Sequence, residues 1–362
     1  MTTRETRKSA KAIRAEDKLD GQGEMVERIS VAPPSDANRP VPPLVSREAK
    51  SRRIGVILIP RFALISFSMI IEPLRSANLV TRQGLYEWIL LSASGGDVPS
   101  NSGVMIATTA LREAAASDLD MILVCAGLDP DKFHSAPVES YLRRQSRHGV
   151  LIGAVSTGSF ILARAGLLDE HRCTVHWDYK AGFQESYPAL KVSDELFVVD
   201  RQIATCAGGT AVLDMMLYLV AQHHDDRLSR AVSEQFIHGA ARQSQDRQRN
   251  DLRYRLGTSN AAVVNAVRLM EQHLDAPLSP SVLAKRLKTS QRQLERLFQK
   301  YLGCTPSGYY QGLRMERARS LLKQTDLPIT EIAVSCGFAS ASYFSTVYQR
   351  YFKVLPRRDR RL

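Results

Sequence analysis

Cysteine is scarce in this sequence: five residues in 362, with only two tryptophans beside them. Cys125, Cys173, Cys206, Cys304 and Cys336 are scattered and form no C-x-x-C pair. That spacing excludes a disulfide framework and a cysteine-built zinc site, and it reads as buried thiols in a reducing compartment. Long apolar runs are missing too. None reaches the roughly 18 residues of a membrane span. The N-terminus carries charges but no apolar h-region, so a secretory signal is excluded and a cytoplasmic location is expected.

Acidic excess is also lacking. The chain has 49 Lys and Arg against 37 Asp and Glu, a net charge of +12. The distribution matters more than the sum. Residues 1–53 carry 12 basic and 8 acidic side chains (+4), residues 54–259 carry 20 and 22 (−2), and residues 260–362 carry 17 and 7 (+10). A basic C-terminal segment behind a neutral middle is the electrostatic footprint of a protein that neutralises phosphates with one end. Residues 1–51, with PPSDANRPVPP and few large apolar side chains, read as a disordered arm.

From Arg53 the pattern changes. IGVILI (54–59) is an apolar run ended by Pro60 and reads as a buried strand. A helix over 66–79, strands over 86–93 and 120–125, a helix over 138–148 and a strand over 150–155 follow. Strands at 196–199 and 202–206 then precede a helix reaching about His223. Alternation of strand and helix predicts an α/β layered domain with a mostly parallel sheet, whose ligands bind beyond the carboxyl ends of the strands. Its most chemical stretch is Val155-Ser156-Thr157-Gly158, a strand-to-helix turn with a hydroxyl at the apex. This is the layout of a nucleophile elbow, with Ser156 as nucleophile and His176 as base, but also of a turn whose Ser and Thr cap a helix, and the motif's departures favour the turn. Ala154 stands where a serine-hydrolase elbow wants glycine, and no acid lies between Ser156 and a late histidine. Residues 226–259 are polar and predict a helix over 228–241 and then a linker, with a second domain from about Asn260.

That second domain is all-helical and repeats itself. In LSPSVLAKRLKTSQRQLERLFQKY (278–301), Ser279 and Ser290 suit helix N-caps around a turn at Lys288-Thr289. Leu294, Leu297 and Phe298 face inward, while Gln291, Arg292, Gln293, Glu295 and Arg296 face out. In ITEIAVSCGFASASYFSTVYQRYF (329–352), Gly337 supplies the positive φ of a sharp turn and Ser340 caps the next helix, which presents Ser342, Ser345 and Thr346. Each copy is a helix-turn-helix able to lay its second helix in a major groove. Residues 309–322 read as the helix that joins them.

The pieces LAKRLKTSQRQLERLF, LRMERARSLL and ITEIAVSCGFASASYFS resemble the DNA-binding domain of the AraC/XylS family of transcription regulators. IGVILIPRFALISFSMIIEPLRSAN, VSTGSFILARAGLLDEHRCTVHW and ATCAGGTAVLDMMLYLVA resemble the class I glutamine-amidotransferase-like fold of the PfpI type. Together they look like the GlxA subfamily of AraC regulators. The resemblance implies a flavodoxin-like sensing domain (52–225), a helix and linker (226–259) and an AraC-type domain (260–362) that binds double-stranded DNA. It implies an activator that works as a homodimer with RNA polymerase, with no cofactor and no metal. Carried onto this chain, the enzymatic relatives' cysteine, glutamate and histidine fall on Ser156, Glu72 and His176. The elbow is a serine here, so the resemblance implies a binding pocket and not an enzyme. Its candidate lining is Glu72, Ser156, Thr157, His176, Trp177, Cys206 and Thr210. Glu72 and the Trp177 face suit an alkylammonium, and the elbow amides suit a carboxylate. An amino acid or quaternary amine is the effector expected. On DNA, Arg292, Glu295 and Arg296, then Ala341, Ser342, Ser345 and Thr346, are implied to face bases. Ser290, Gln293, Ser340 and Tyr343 are candidates beside them, and Lys285, Lys288, Lys300, Arg350 and PRRDRR are candidates for phosphates. After Phe352 the family's Gly-x-Ser-Pro is Lys353-Val354-Leu355-Pro356 here, which puts the last turn in question.

Overall fold

The computed structural model describes residues 50–360 except 115–117, 131 and 250. The expectation of a disordered arm therefore lies almost wholly outside the described residues. Strand β1 (Arg52–Leu58) leads into α1 (Leu64–Thr81), β2 (Tyr86–Ser92), a hairpin of β3 (Gly96–Pro99) and β4 (Met105–Ala110), and β5 (Met121–Cys125). Then come α2 (Ala136–Arg147), β6 (Leu151–Val155), α3 (Ser159–Arg164), β7 (Arg172–Cys173), α4 (Lys180–Ser186), β8 (Lys191–Val192), β9 (Phe197–Asp200), β10 (Ile203–Cys206) and α5 (Ala211–His223). The main sheet runs β3-β4-β2-β1-β5-β6-β10-β9. Its six inner strands are parallel, and the two edge strands pair antiparallel. This is the flavodoxin-like layered sandwich.

Period-two patterning places the core. Ile54, Val56 and Leu58 of β1 face one apolar layer with α1 and α5, while Ile57 and Ile59 face the other with α2 and α3. β5 divides the same way, Met121, Leu123 and Cys125 against Ile122 and Val124. Because β2 and β5 leave β1 in opposite directions, the strand order reverses at β1. Ser156 follows β6, two strands from that reversal, at the carboxyl end of the sheet where ligands of such folds bind.

After α6 (Asp226–Gln235) the helix ends six residues earlier than the sequence suggested. Ile237 takes a left-handed φ of 50°, a conformation a β-branched residue cannot continue as helix. Residues 236–249 are then no free linker but a strap on the sheet domain. Leu196 N–H donates to the carbonyls of Ser244 and Asp246, and the Gln248 amide donates to Thr174, Val175 and Glu195. The helical domain follows: α7 (Leu252–Leu256), α8 (Ala261–Gln272), α9 (Pro280–Arg286), α10 (Gln291–Leu302), α11 (Pro306–Gln324), α12 (Ile329–Ser335), α13 (Ala341–Phe352) and α14 (Pro356–Asp359). Leu252 already belongs to its core, so this packing starts eight residues before Asn260. The long α11 joins two small cores, giving Tyr310 to the first and Met315, Ala318, Leu321 and Leu322 to the second. No described helix is long and apolar enough to cross a membrane.

Buried imidazoles give the sheet domain a pH dependence. His223, bonded to the Tyr86 hydroxyl at 3.1 Å, is lowered to about 4 by burial first and then by the charges of Arg52 and His224. His224 and His176 are lowered as well, again mainly by burial. Each stays neutral when folded. Below an ordinary imidazole value of about 6.5 the unfolded chain takes up protons that the folded chain refuses. Stability is therefore full above that pH and falls as pH drops toward 4. Urea midpoints at pH 7.5 and 5.0 check this, and His223→Asn is expected to flatten the slope.

Candidate functional site

The elbow is built from four strand ends. Ser156 has φ of 60°, left-handed for a non-glycine residue, so its side chain is thrust out of the turn between β6 and α3. Glycines make the room. Gly208, at φ 94°, lies so close that a Cβ there would sit 2.8 Å from the Ser156 Cβ. Gly127 stands equally close to the backbone of Arg61 and Phe62. Thr157 is fully buried and donates to the Gly127 carbonyl at 2.7 Å, locking the elbow to the end of β5. The Ser156 hydroxyl has no hydrogen-bond partner among the described residues.

The predicted lining residues separate into two groups. Ser156, Thr157, His176 and Cys206 come together at the elbow. His176 N–H donates to the Ser156 carbonyl at 3.4 Å, and Cys206 ends β10 under Gly208. His176 Nδ1 accepts from the Asp178 N–H at 3.3 Å, so the proton of the neutral ring sits on Nε2. Its low pKa comes from burial, offset in part by the Asp178 carboxylate. The Cys206 thiol is pushed up to about 12 by burial and is inert as a nucleophile. The other residues have partners elsewhere. The Glu72 carboxylate pairs with Arg75 at 2.7 Å and makes no hydrogen bond to the elbow among the described residues. Trp177 is covered by the Arg249 guanidinium, 4.6 Å from the ring centroid. Thr210 accepts from Arg242 at 2.9 Å.

Several residues at this site were not singled out from the sequence. Buried Ser66 of α1, rather than Glu72, reaches the glycine loop, its hydroxyl accepting from Gly209 N–H at 3.0 Å. Arg242, Gln248 and Arg249 come from the strap. One signal was available: Asp214 inside the apolar run AVLDMMLYLV. A carboxylate on an apolar helix needs a cation, and fully buried Asp214 finds Arg242 at 2.7 Å and His238 at 3.3 Å.

On the helical domain, Ser290 and Ser340 are N-caps, accepting from Gln293 and Tyr343 N–H. Arg292, Gln293, Glu295 and Arg296 of α10 are exposed above buried Leu294 and Phe298. Ser342, Tyr343, Thr346 and Arg350 of α13 are exposed above Phe344, Val347 and Tyr348, with Ala341 and Ser345 half-buried. Ser345 and Thr346 donate to carbonyls four residues back and keep their lone pairs for a partner. The turns match in shape: Lys288 at φ 52° in the first unit, Gly337 at φ 72° in the second.

The DJ-1/PfpI family model matches residues 52–222, and a helix-turn-helix domain model matches residues 283–362. The chain is 43% identical over 320 residues to the HTH-type transcriptional regulator GbdR of Pseudomonas aeruginosa, covering 88% of this chain and 86% of that protein. It is 43% identical over 310 residues to CdhR of the same organism, covering 86% and 92%. With GlxA of Rhizobium meliloti the identity is 37% over 306 residues, covering 84% and 94%. The chain belongs to the GlxA subfamily of AraC-type transcriptional regulators.

As a DNA-binding regulator of this type it holds its second reading unit with charge. Arg314 of α11 donates to the carbonyls of Cys336 and Gly337 at 2.7 and 2.8 Å and stacks on Phe338. The last turn, in question from sequence, forms. Lys353 takes the left-handed φ of 61° that glycine would supply, just as Gly303 does after α10, and Pro356 starts α14. PRRDRR is divided in role. Asp359 is buried against Arg319, Lys323 and the Tyr348 hydroxyl, and Arg360 donates to the Leu327 carbonyl, which leaves Arg357 and Arg358 outside. Arg292 carries no ion pair among the described residues. Arg292→Ala is expected to cost about 1–3 kcal/mol of DNA affinity, 5- to 150-fold, and to relax the preference at one base pair. Anisotropy titrations on selected and mismatched duplexes measure both.

Proposed function

We propose that the PfpI-type domain of this regulator binds a small nitrogenous metabolite at the elbow without turning it over, and that binding alters how the two reading helices engage DNA. The effector class is an amino acid or quaternary amine. The regulator acts as a homodimeric activator that works with RNA polymerase. The observation that carries the binding reading is the left-handed Ser156. Its hydroxyl is unpartnered among the described residues, beside the glycine loop and neutral His176. A hydroxyl needs an oriented base to become a nucleophile. His176 Nδ1 is taken by a backbone N–H and Glu72 is held by Arg75, which favours binding over turnover. Trp177 is covered by Arg249 and Glu72 is paired with Arg75, so the amine half of the effector rests on the family resemblance and not on these two side chains.

A thermal-melt screen of the full chain tests this, with amino acids, betaines, carnitine and polyamines, each compound assayed for chemical change afterward. A true effector at 100 times its dissociation constant stabilises the folded state by about 2.7 kcal/mol. A shift with the compound intact is the expected result. Consumption of the compound, abolished by Ser156→Ala, would replace this reading with a hydrolase. No shift across the panel would remove the proposed effector class.

A further inference from the structure

The segment that carries His176 continues, without a break, into the contact with the DNA-binding domain. Asp178 N–H donates to His176 Nδ1, and the Asp178 carbonyl accepts from the Gln324 amide at the end of α11 at 3.1 Å. Three hydrogen bonds thus join the elbow to the helix that links the two reading units: Ser156 to His176, His176 to Asp178, and Asp178 to Gln324. Beyond Asp178 the chain becomes α4, which rests directly on α11. Glu185 pairs with Arg317 at 3.4 Å, and Ala181 packs against the second helix-turn-helix core.

Gly182 sets the closeness of this contact. A Cβ there would lie 3.1 Å from Thr325 Cγ2 and 3.2 Å from Gln324 Oε1. Its backbone is ordinary helix, so glycine is not needed for its conformation, and alanine would favour α4 on propensity alone. What glycine provides at this position is approach. Two surface clefts of about 310 and 300 Å³ adjoin this contact, one bounded by Glu185, Leu327 and Val334 and the other by Arg164, Tyr187 and Asp326.

We infer that the face of α4 centred on Gly182 is the docking surface through which the elbow sets the position of α11, and with it the spacing of the two reading helices. This rests on the elbow being a binding pocket but not on the identity of its effector. Filling the elbow moves His176 and Asp178, Asp178 moves the Gln324 end of α11, and both reading units follow because α11 belongs to both of their cores.

The test needs no effector. In the full chain carrying Ser156→Cys and Cys304→Ser, iodoacetamide places a carboxamidomethyl group at the elbow. The remaining four thiols are 0% exposed against 7% at position 156, and mass spectrometry of the labelled chain checks that a single carboxamidomethyl group sits there. Hydrogen exchange is then followed in residues 176–186 and 317–325, with and without the label. The label is expected to change exchange in both segments, by about fivefold at 317–325, the factor one ordinary hydrogen bond is worth. With Gly182→Ala added, the change at 176–186 should persist and that at 317–325 should vanish. Gln324→Ala, which leaves α4 untouched, should uncouple the segments in the same way. A label that moves 176–186 but not 317–325, or moves both equally in the Gly182→Ala chain, would overturn the inference and leave the pocket standing. A label that moves neither segment would also overturn it. If the melt screen finds no effector while the label still moves α11, the effector reading fails and the docking surface remains.

Discussion

Arg242→Ala is expected to destabilise the regulator by about 3 kcal/mol, at the lower end of what stranding a buried charge costs. Asp214 is wholly buried on α5, and Arg242 supplies it with two guanidinium hydrogen bonds at 3.0 and 2.7 Å. Removing the guanidinium leaves the carboxylate with one backbone N–H and His238. Arg242 itself is partly exposed, which is why the lower end applies. The reverse change, Asp214→Leu, removes the charge and fills an apolar helix. In the double variant much of the loss should return, because a buried pair replaced as a whole is often neutral. The same guanidinium bonds Thr210, so Arg242→Ala also releases the strap from the glycine loop. Urea midpoints of the single and double variants measure the coupling. A loss under about 1 kcal/mol for Arg242→Ala would mean the strap is held otherwise.

Gly337→Ala is expected to cost about 2–5 kcal/mol and to abolish reading by the second unit. Two terms add. Alanine at φ 72° meets the left-handed penalty of roughly 1–2 kcal/mol. Its Cβ would also lie 2.6 Å from Pro277 Cγ and 2.9 Å from the Asp275 carbonyl, and such overpacking costs about 1–3 kcal/mol. The second term couples the units, because Pro277 belongs to the loop before α9. DNA protection in footprinting should shrink from two successive major grooves, roughly 34 Å apart, to one. An unchanged midpoint would show that the turn does not need glycine.

The α/β sheet and both helix-turn-helix units were legible because their signals are local. β1 and β5 alternate between two apolar layers, α10 and α13 have serine caps, and Gly337 marks a turn that only positive φ allows. The elbow was legible for the same reason, as a strand, a hydroxyl and a helix in consecutive residues. What could not be read was long-range pairing. Glu72 fits a pocket role by type, but the i,i+3 partner Arg75 holds its carboxylate. Ser66 carries no mark in sequence, since its role depends on Gly209, 143 residues away. The strap reads as solvated because Arg, Gln and Asp dominate it, yet its partners are buried: Asp214, Thr174 and the Leu196 backbone. Lys353 shows the converse. The family's glycine is missing, and the left-handed turn forms regardless, because αL at a helix C-terminus costs a lysine little against the packing of α14.

The central claim is that occupancy of the elbow is felt at the DNA. A duplex site is first selected from random sequence with the full chain. Its dissociation constant is then measured by anisotropy at fixed salt, with and without a saturating amount of a compound that shifts the melt. The account predicts at least a fivefold change, the lower end of ordinary allosteric coupling. By linkage, saturating DNA must shift the compound's own dissociation constant by the same factor. A compound that binds the elbow tightly and leaves the DNA dissociation constant unchanged would contradict the account.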